Sequence, residues 1–199
     1  TYHDFKPEEE LLRESLTTTG NGYFGSRGAF EGLRTDDDTH YPGTYIAGVF
    51  NKLPSKVHDK TIYNNDFVNI PNWLLIEFTI GDDGKPINLK ECEILEYEHR
   101  LNMRDAIMTR YMVIRDKKGR ETEIHIERFA NIQLPHLGHI KFEFTPHNYS
   151  ETITFTSGID GSVINSGVPR YRQLNSKHLD ILEKNSQNGN IYMHARTNT

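Results

Sequence analysis

The stretch Glu121-Thr122-Glu123-Ile124-His125-Ile126-Glu127 decides the fold class, because charged residues alternate in it with apolar residues and a threonine. Successive side chains of a β-strand point to opposite faces of a sheet, so Thr122, Ile124 and Ile126 would share one face. The charged side chains would share the other face. The pattern therefore predicts an antiparallel strand with one buried and one solvated face.

Similar patterns recur on both sides of this stretch, about every 10 to 16 residues. Residues 73–80 (WLLIEFTI) are a dense run of β formers, residues 107–114 suit a strand covered on both faces, and residues 140–144 and 153–155 alternate again. Turn sequences join these segments, which is typical of an antiparallel sandwich. We therefore predict an all-β fold in a single domain, residues 1–199.

The two ends of the chain have other patterns. The first 70 residues are loop-rich, with a short helix predicted to start near Pro7 and to run through Leu12. Its acidic first turn suits the positive end of the helix dipole. Residues 189–196 predict a turn followed by a strand. Because this strand ends the sequence, we expect an incomplete domain of a longer protein.

Composition restricts the class of protein. There are 23 basic and 28 acidic side chains, which gives a net charge of −5 with histidines neutral. This balance argues against nucleic-acid binding, which needs a basic patch. No apolar run reaches the roughly 18 residues of a membrane span, and no signal-peptide pattern is present. A single cysteine, Cys92, fits a reducing compartment, so we predict a soluble, cytoplasmic protein.

A second stretch, Gly20-Asn21-Gly22-Tyr23-Phe24-Gly25-Ser26-Arg27-Gly28, has the G-x-G-x-x-G spelling of a dinucleotide-binding loop. In such loops the motif follows an apolar strand and opens a helix. Here residues 11–19 are mostly polar and residues 26–33 have no helical stripe, so the context argues against a cofactor site. The glycines instead predict a tight loop, with positive φ angles or a closely packed neighbouring segment.

Paired carboxylates are the first candidates for chemistry, since glycoside cleavage needs two carboxyl groups about 5 to 9.5 Å apart. Glu123 and Glu127 share a strand face, but their backbones would lie about 13 Å apart. Glu121 and Glu123 would be about 6.6 Å apart, yet alternation with isoleucines favours a solvated face. A second acidic cluster contains no distinguishable pair: Glu91, Glu93, Glu96 and Glu98.

Metal-binding patterns are weak. His136 and His139 are three residues apart, but Pro135 and Gly138 prevent the helix that would align them. The run Asp36-Asp37-Asp38 lacks the spaced oxygen ligands of a calcium loop. A turn is favoured at both places. No serine nucleophile elbow occurs.

Three aromatic residues lie where sugar rings would have room to stack on them: Tyr45, Tyr63 and Trp73. Burial as large amphipathic core residues is the favoured alternative for each. The residues alone therefore indicate no catalytic constellation.

Three ordered stretches resemble the N-terminal domain of glycoside hydrolase family 65, which contains maltose, trehalose, kojibiose and nigerose phosphorylases and acid trehalases. They are residues 20–31 (GNGYFGSRGAFE), preceded by Glu14-Ser15, residues 41–50 (YPGTYIAGVF) and residues 69–74 (NIPNWL). Residues 159–161 and 177–179 also correspond. The family-signature positions, for which the resemblance implies a structural role, are Gly20, Asn21, Gly22, Gly25, Arg27, Gly28, Pro42, Gly43, Tyr45, Gly48, Asn72 and Trp73.

The resemblance implies a β-supersandwich of the galactose mutarotase-like type. Family members are similar in carrying a helical linker, an (α/α)6 barrel and a small β domain after it. The barrel holds the general-acid glutamate and the phosphate site, so the resemblance implies no catalytic, cofactor or metal residue here and an inactive segment. The implied parent reaction is inverting phosphorolysis of an α-linked glucose disaccharide to β-glucose 1-phosphate and glucose, with inorganic phosphate as co-substrate. A homodimer without nucleic-acid or membrane partners is also implied.

Other hypotheses stay open. Within the family, residues 41–50 and 69–74 favour the trehalose and kojibiose group over the maltose group, and an acid trehalase-type hydrolase is an alternative. A free-standing carbohydrate-binding module would bind sugars through Trp73. A mutarotase-like epimerase would need a His and a Glu on one sheet face, such as His125 with a Glu of a neighbouring strand.

Overall fold

The computed structural model describes residues 1–32, 39–166, 174 and 176–198. This part of the chain consists mostly of β-strands, with one α-helix near its start and a 3-10 turn at Leu89–Glu91. The prediction of an all-β fold is confirmed. The helix and strands are α1 Pro7–Leu16, β1 Thr19–Gly20, β2 Phe24–Ser26, β3 Thr44–Ile46, β4 Phe50–Val57, β5 Lys60–Phe67, β6 Asn72–Ile80, β7 Glu93–Asn102, β8 Ile107–Arg115, β9 Glu121–Ala130, β10 Gly138–Pro146, β11 Ile153–Asp160, β12 Leu179–Gln187 and β13 Asn190–Thr197.

The largest sheet is antiparallel and has the strand order β10-β9-β8-β7. Strand β9 has the predicted alternation, since its even-numbered residues are buried and its odd-numbered residues are half-buried. For β8 the sequence predicts cover on both faces, but Ile107 and Tyr111 are only half-buried. The outer face is thus covered only in part: Val113 is buried there, whereas Tyr111 lies opposite the half-buried His125 of β9.

The core lies between this sheet and the antiparallel pair β6–β11, so the fold is a sandwich. Strand β6 matches the predicted run at residues 73–80. The rings of Phe78 on β6 and Phe144 on β10 meet edge to face, with centroids 5.0 Å apart. The buried members of this cluster are Phe30, Phe78, Ile80, Tyr97, Met112, Ile114, Ile124 and Ile126.

The first 70 residues contain more regular structure than the sequence predicts. Helix α1 begins at Pro7, as predicted, but continues to Leu16. Strands β4 and β5 form a hairpin with eight residues in each strand. Its inward positions include the buried residues Asn51, Ser55 and Asp66. Because this inward face is polar, the hydrophobic alternation that marks a strand is missing.

The turn and strand predicted at residues 189–196 are confirmed by the hairpin β12–β13. Asn188 and Gly189 both have positive φ in its turn. Among the described residues, no helix has the length and apolar character that crossing a membrane requires.

Candidate functional site

The glycine segment, residues 20–28, is a small antiparallel hairpin in the structure. Strand β1 pairs with β2, and β2 pairs with β3. Gly22 lies in the turn with φ +85. Since residues 27–32 form a loop and a turn instead of a helix, the backbone cradle of a dinucleotide-binding loop is not formed. The segment is a connector between α1 and the sheet.

Asn21 fixes this turn to another part of the chain. Its side-chain oxygen accepts hydrogen bonds from the backbone N–H groups of Tyr23 and Phe24, at 3.0 and 3.1 Å. Its amide donates to the carbonyls of Asn131 and Pro135, at 2.6 and 2.9 Å. The glycine hairpin is therefore attached to the loop between β9 and β10.

Gly28 is required by close packing. Its N–H donates to the carbonyl of Glu14 in α1 at 2.8 Å. A Cβ at position 28 would overlap the hydroxyl of Thr17 and lie 2.9 Å from its Cβ. Gly22 and Gly28 thus illustrate the two uses of glycine that the sequence predicts, a positive φ and a close approach.

Arg27 joins helix α1 to the Pro42-Gly43 turn. Its guanidinium donates to the carbonyl of Leu11 at 2.7 Å, to the hydroxyl of Ser15 at 2.5 Å and to the carbonyl of Tyr41 at 3.1 Å. Its backbone N–H donates to the carbonyl of Gly43 at 2.9 Å. A Cβ at Gly43 would lie 2.7 Å from the Cδ of Arg27, so this glycine also permits a close approach.

A column of three aromatic rings stands beside this turn. Tyr45 and Phe67 stack with centroids 5.2 Å apart and an interplanar angle of 24°. Phe67 and Phe50 stack at 5.0 Å and 27°. We call these three residues the aromatic column. Phe67 therefore stacks on both of its neighbours, and Phe50, at one end of the column, is 55% exposed.

Thr44 connects the three signature stretches. Its hydroxyl lies 3.0 Å from the hydroxyl of Ser26 and accepts the indole N–H of Trp73 at 3.2 Å. Its backbone N–H donates to the side chain of Asn69 at 2.9 Å. Sequence reasoning did not single out Thr44, although it lies between the signature residues Gly43 and Tyr45.

Trp73 and its neighbour Asn72 are occupied in packing. A Cβ at Gly138 would lie 2.6 Å from the Trp73 indole ring, so the glycine leaves room for that ring. The edge of Phe24 approaches the indole at a centroid distance of 6.4 Å. Asn72 is buried, and its side-chain oxygen accepts the backbone N–H of Leu74. These contacts do not favour Trp73 as a sugar platform.

An open groove of about 470 Å³ lies along the glycine segment. We call it the glycine groove. Gly48, with φ +83, shapes the turn just beyond its wall. The residues that line the groove are Thr18, Gly20, Gly22, Tyr23, Phe24, Gly25, Arg27, Tyr45, Ala47 and Phe67. Most of them belong to the first two signature stretches, which therefore share one surface.

Buried ionisable side chains contact the glycine segment from the interior of the protein. Glu31 forms ion pairs of 2.9 Å with Arg110 on β8 and Arg128 on β9, and all three side chains are fully buried. The two guanidinium groups also donate to the backbone carbonyls of residues 27–29. A second buried pair joins Glu14 Oε1 and His40 Nδ1 at 2.6 Å. We call these five residues the buried charge cluster.

The sequence pattern indicates that the side chains of Arg110 and Arg128 are buried. Arg110 lies between Met108 and Met112 on the inward face of β8, and Arg128 follows Ile126 on the inward face of β9. A charged residue at an inward position of an alternating strand requires a buried partner, because an unpaired buried charge is costly. That partner, Glu31, belongs to the first signature stretch.

Two further ionisable groups, the buried His99 and the half-buried Cys92, have shifted pKa values. Burial and, to a smaller extent, the neighbouring Arg110 lower the pKa of His99 to about 2, so this imidazole stays neutral. Burial raises the pKa of the Cys92 thiol to about 11, with smaller effects from Asp116 and Glu91. A thiol with such a pKa is a poor nucleophile at neutral pH.

The carboxylates considered for glycoside cleavage form surface pairs with other groups. Glu91 lies 2.5 Å from Lys117, and Glu93 lies 2.7 Å from Arg115. Arg115 also pairs with Glu121 at 2.7 Å. The remaining members have these contacts: Glu96 with Tyr111, Glu98 with His3, and Glu123 with Tyr111 and His147. Glu96 and Glu123 are brought together by the hydroxyl of Tyr111, which lies 3.4 and 3.5 Å from them, but on the outer face of the sheet and not in an enclosed site.

The histidine candidates also have packing partners. His136 meets the edge of Tyr23 at 4.2 Å, and His139 stacks on Phe129 at 4.7 Å. No group of three or more potential metal ligands occurs among the described residues. The Asp36-Asp37-Asp38 run lies outside the described residues.

His125 does meet a Glu of a neighbouring strand, as the epimerase hypothesis requires. Its Nδ1 lies 3.1 Å from Glu143, which Lys141 also contacts at 2.9 Å. Hydrogen bonds from Lys141 and, to a smaller extent, from His125 lower the pKa of Glu143. Both members of the pair are a third or more exposed on an open sheet face, where cross-strand ion pairs are common. The pair does not favour proton transfer in an enclosed sugar site.

Comparison with known families decides the relationship. A family model described as the N-terminal domain of glycosyl hydrolase family 65 matches residues 1–199. The chain belongs to this family. The family 65 resemblance predicted from the three stretches is therefore confirmed.

Relatives of this family 65 domain are much longer proteins. An uncharacterized glycosyl hydrolase of Mycobacterium tuberculosis is 42% identical over 182 residues, which cover 92% of this chain and 14% of the relative. A kojibiose phosphorylase of Caldanaerobacter subterraneus subsp. tengcongensis is 36% identical over 186 residues, which cover 92% of this chain and 22% of the relative. The chain thus spans less than a quarter of either relative.

A solved structure confirms the fold. A protein from the human microbiome assigned as a kojibiose phosphorylase superposes with a TM-score of 0.81 at 16% identity. The superposition covers 100% of this chain and 26% of that protein.

Proposed function

We propose that this chain is the non-catalytic N-terminal domain of an inverting glycoside phosphorylase that acts on an α-linked glucose disaccharide. The observation that carries the proposal is the family 65 match over residues 1–199, together with the 36% identity to a kojibiose phosphorylase.

The proposed reaction needs one carboxylic acid and one phosphate. The acid protonates the glycosidic oxygen as the bond to the anomeric carbon breaks, and phosphate attacks the opposite face of that carbon. The products are β-glucose 1-phosphate and a free sugar. Because phosphate is already an anion, no second carboxylate is needed to activate a nucleophile. We assign neither the acid nor the phosphate site to this chain.

The role that we propose for the domain is to present a shaped surface to the rest of the enzyme. The glycine groove and the aromatic column are exposed, and the groove is held from behind by the buried charge cluster. Contiguous exposed apolar surface of this kind commonly marks an interface. We further propose a cytoplasmic homodimer without a resident cofactor, in which phosphate is a co-substrate.

The test uses the longer polypeptide that carries residues 1–199. The purified protein is incubated with phosphate and kojibiose, trehalose, maltose or nigerose in turn, and β-glucose 1-phosphate is measured. We expect phosphorolysis of kojibiose or trehalose, and none from the 199-residue chain by itself. Release of glucose without sugar phosphate would instead identify a hydrolase of the acid trehalase type. Sugar phosphate formed by the 199-residue chain would refute a non-catalytic role.

A further inference from the structure

Helix α1 buries charged residues and exposes leucines, which is the reverse of an ordinary surface helix. Such a helix buries its apolar stripe and exposes its charges. Here Glu10, Arg13 and Glu14 are 1, 3 and 0% exposed. The apolar residues of the same helix face outward, with Leu12 and Leu16 exposed by 62 and 59%. Leu11 is exposed by 38%, and we call these three leucines the leucine face.

Contacts with residues outside the helix fix it in this orientation. Glu14 Oε1 lies 2.6 Å from His40 Nδ1, and Glu14 Oε2 accepts the backbone N–H of Tyr41 at 3.0 Å. Rolling the helix to bury its leucines would break these contacts and leave the buried Glu14 without its partners, which is unfavourable. The outward position of the leucines is therefore a consequence of how the domain is built.

Helix α1, which bears the leucine face, is linked to the wall of the glycine groove. Arg27, which lines the groove, donates hydrogen bonds to the carbonyl of Leu11 and the hydroxyl of Ser15 on α1. Thr18 follows the helix by two residues and also lines the groove. The position of the helix is therefore fixed relative to the groove.

We propose that the leucine face docks onto an apolar surface of the same polypeptide, in the part that lies outside residues 1–199. This inference rests on the proposed function, because it requires the chain to be one domain of a longer enzyme. The two relatives described above place 86 and 78% of their length outside the region that matches this chain.

The size of the face favours an intramolecular partner over a second copy. Stable interfaces between separate molecules bury about 800 Å² on each partner, which three leucines do not reach even when fully exposed. A covalent connection supplies a high effective concentration, so a small apolar contact suffices to hold two domains of one chain together.

Site-specific photo-crosslinking in the longer polypeptide tests the proposal. A photoreactive phenylalanine analogue replaces Leu12 or Leu16, and Met103, which is 87% exposed between β7 and β8, serves as the control position. We expect positions 12 and 16 to cross-link to peptides outside residues 1–199, several-fold more than position 103. Mixing isotopically light and heavy protein separates cross-links within one molecule from those between copies. Cross-links between copies, or yields no higher than at position 103, would overturn the proposal.

A second measurement tests the docking by placing charged side chains on the leucine face. The double substitution Leu12→Glu and Leu16→Glu should lower the thermal inactivation midpoint of the longer polypeptide by several degrees, and Met103→Glu should leave it unchanged. Equal midpoints in the two variants would contradict docking. If the double variant fails to fold, the cross-linking experiment at position 12 still tests the docking, because the photoreactive residue keeps an apolar side chain there. The cross-links do not depend on activity, so their absence from a protein that forms sugar phosphate would reject this inference and leave the proposed function standing.

Discussion

Replacing Gly28 with alanine tests whether the glycine segment is held by close packing. The added methyl group would overlap the hydroxyl of Thr17 and lie 3.1 Å from its carbonyl oxygen. Thr17 cannot move away easily, because its side chain is buried and donates to the carbonyl of Arg13 at 2.7 Å. The backbone N–H of Gly28 also holds the residue against Glu14. Either the end of α1 or the segment must shift.

The expected cost follows from overpacking. Inserting a methylene-sized group into a packed site destabilises a protein by about 1–3 kcal/mol. For a domain of this length, each kcal/mol lowers the melting temperature by about 2–4 °C. We therefore expect Gly28→Ala to melt roughly 2–12 °C below the unsubstituted chain.

Two neighbouring glycines provide matched controls in the same assay, thermal and urea unfolding followed by circular dichroism. A Cβ at Gly25 would meet its nearest neighbour, the carbonyl oxygen of Thr19, at an ordinary 3.8 Å, so Gly25→Ala should change stability by no more than about 0.5 kcal/mol. Gly22 has open space around it but φ +85, so Gly22→Ala should cost about 1–2 kcal/mol through backbone strain.

Substitution by asparagine distinguishes backbone strain from close packing as the cause of destabilisation, because asparagine adopts positive φ more readily than alanine. Gly22→Asn should recover part of the stability that Gly22→Ala loses, whereas Gly28→Asn should be no better than Gly28→Ala. The packing argument is refuted if Gly28→Ala is as stable as Gly25→Ala, or if asparagine restores stability at position 28.

Three further predictions concern buried ionisable groups. Glu31→Gln leaves Arg110 and Arg128 buried without their carboxylate and should cost about 3–5 kcal/mol in urea unfolding. Glu143→Gln, in an exposed pair, should change the stability far less. Equal losses in the two variants would contradict a buried cluster. The unfolded chain protonates His99 below about pH 6.5 but the native state does so only near pH 2, so this group makes the free energy of unfolding fall by about 1.4 kcal/mol per unit as pH drops from 6.5. His99→Phe should remove that slope between pH 6 and about 4.5, and an unchanged slope would mean that His99 is protonated in the native state. Cys92 should react slowly with iodoacetamide at pH 8, with a rate that keeps rising until about pH 11 and that increases on unfolding; fast native alkylation at pH 8 would refute the raised pKa.

Strands that bury apolar residues on one face could be predicted from the sequence, and strands that bury polar residues could not. Strand β9 was recognisable because each inward residue from Thr122 to Ile126 is apolar or small and each outward residue is charged. The hairpin β4–β5 escaped prediction because its inward Asn51 bonds to His178 and Asn198, and its inward Ser55 bonds to Asn64. A polar inward face is stable when its groups are paired, but it gives no periodic signal.

The orientation of α1 also could not be read from hydrophobic periodicity, which would turn Leu12 and Leu16 inward. It follows from partners that are distant in sequence. His40 contacts Glu14, and Arg27 donates to the carbonyl of Leu11. No local pattern in residues 7–16 reveals contacts of this kind, because each depends on a residue outside the helix that only the tertiary fold brings close.

These distant contacts explain why the glycine segment is suited to meet a partner. Arg110 and Arg128 donate hydrogen bonds to the carbonyls of residues 27–29 from the buried side of the segment. Asn21 attaches the other end of the segment to the β9–β10 loop. A backbone held at both ends loses little conformational entropy when its open side is covered, so more of the contact energy is available for binding. Glycine at these positions lets the held backbone be covered closely. If this reasoning is correct, Glu31→Gln should loosen the segment as well as destabilise the fold, and hydrogen exchange at residues 20–28 should quicken more than in β10.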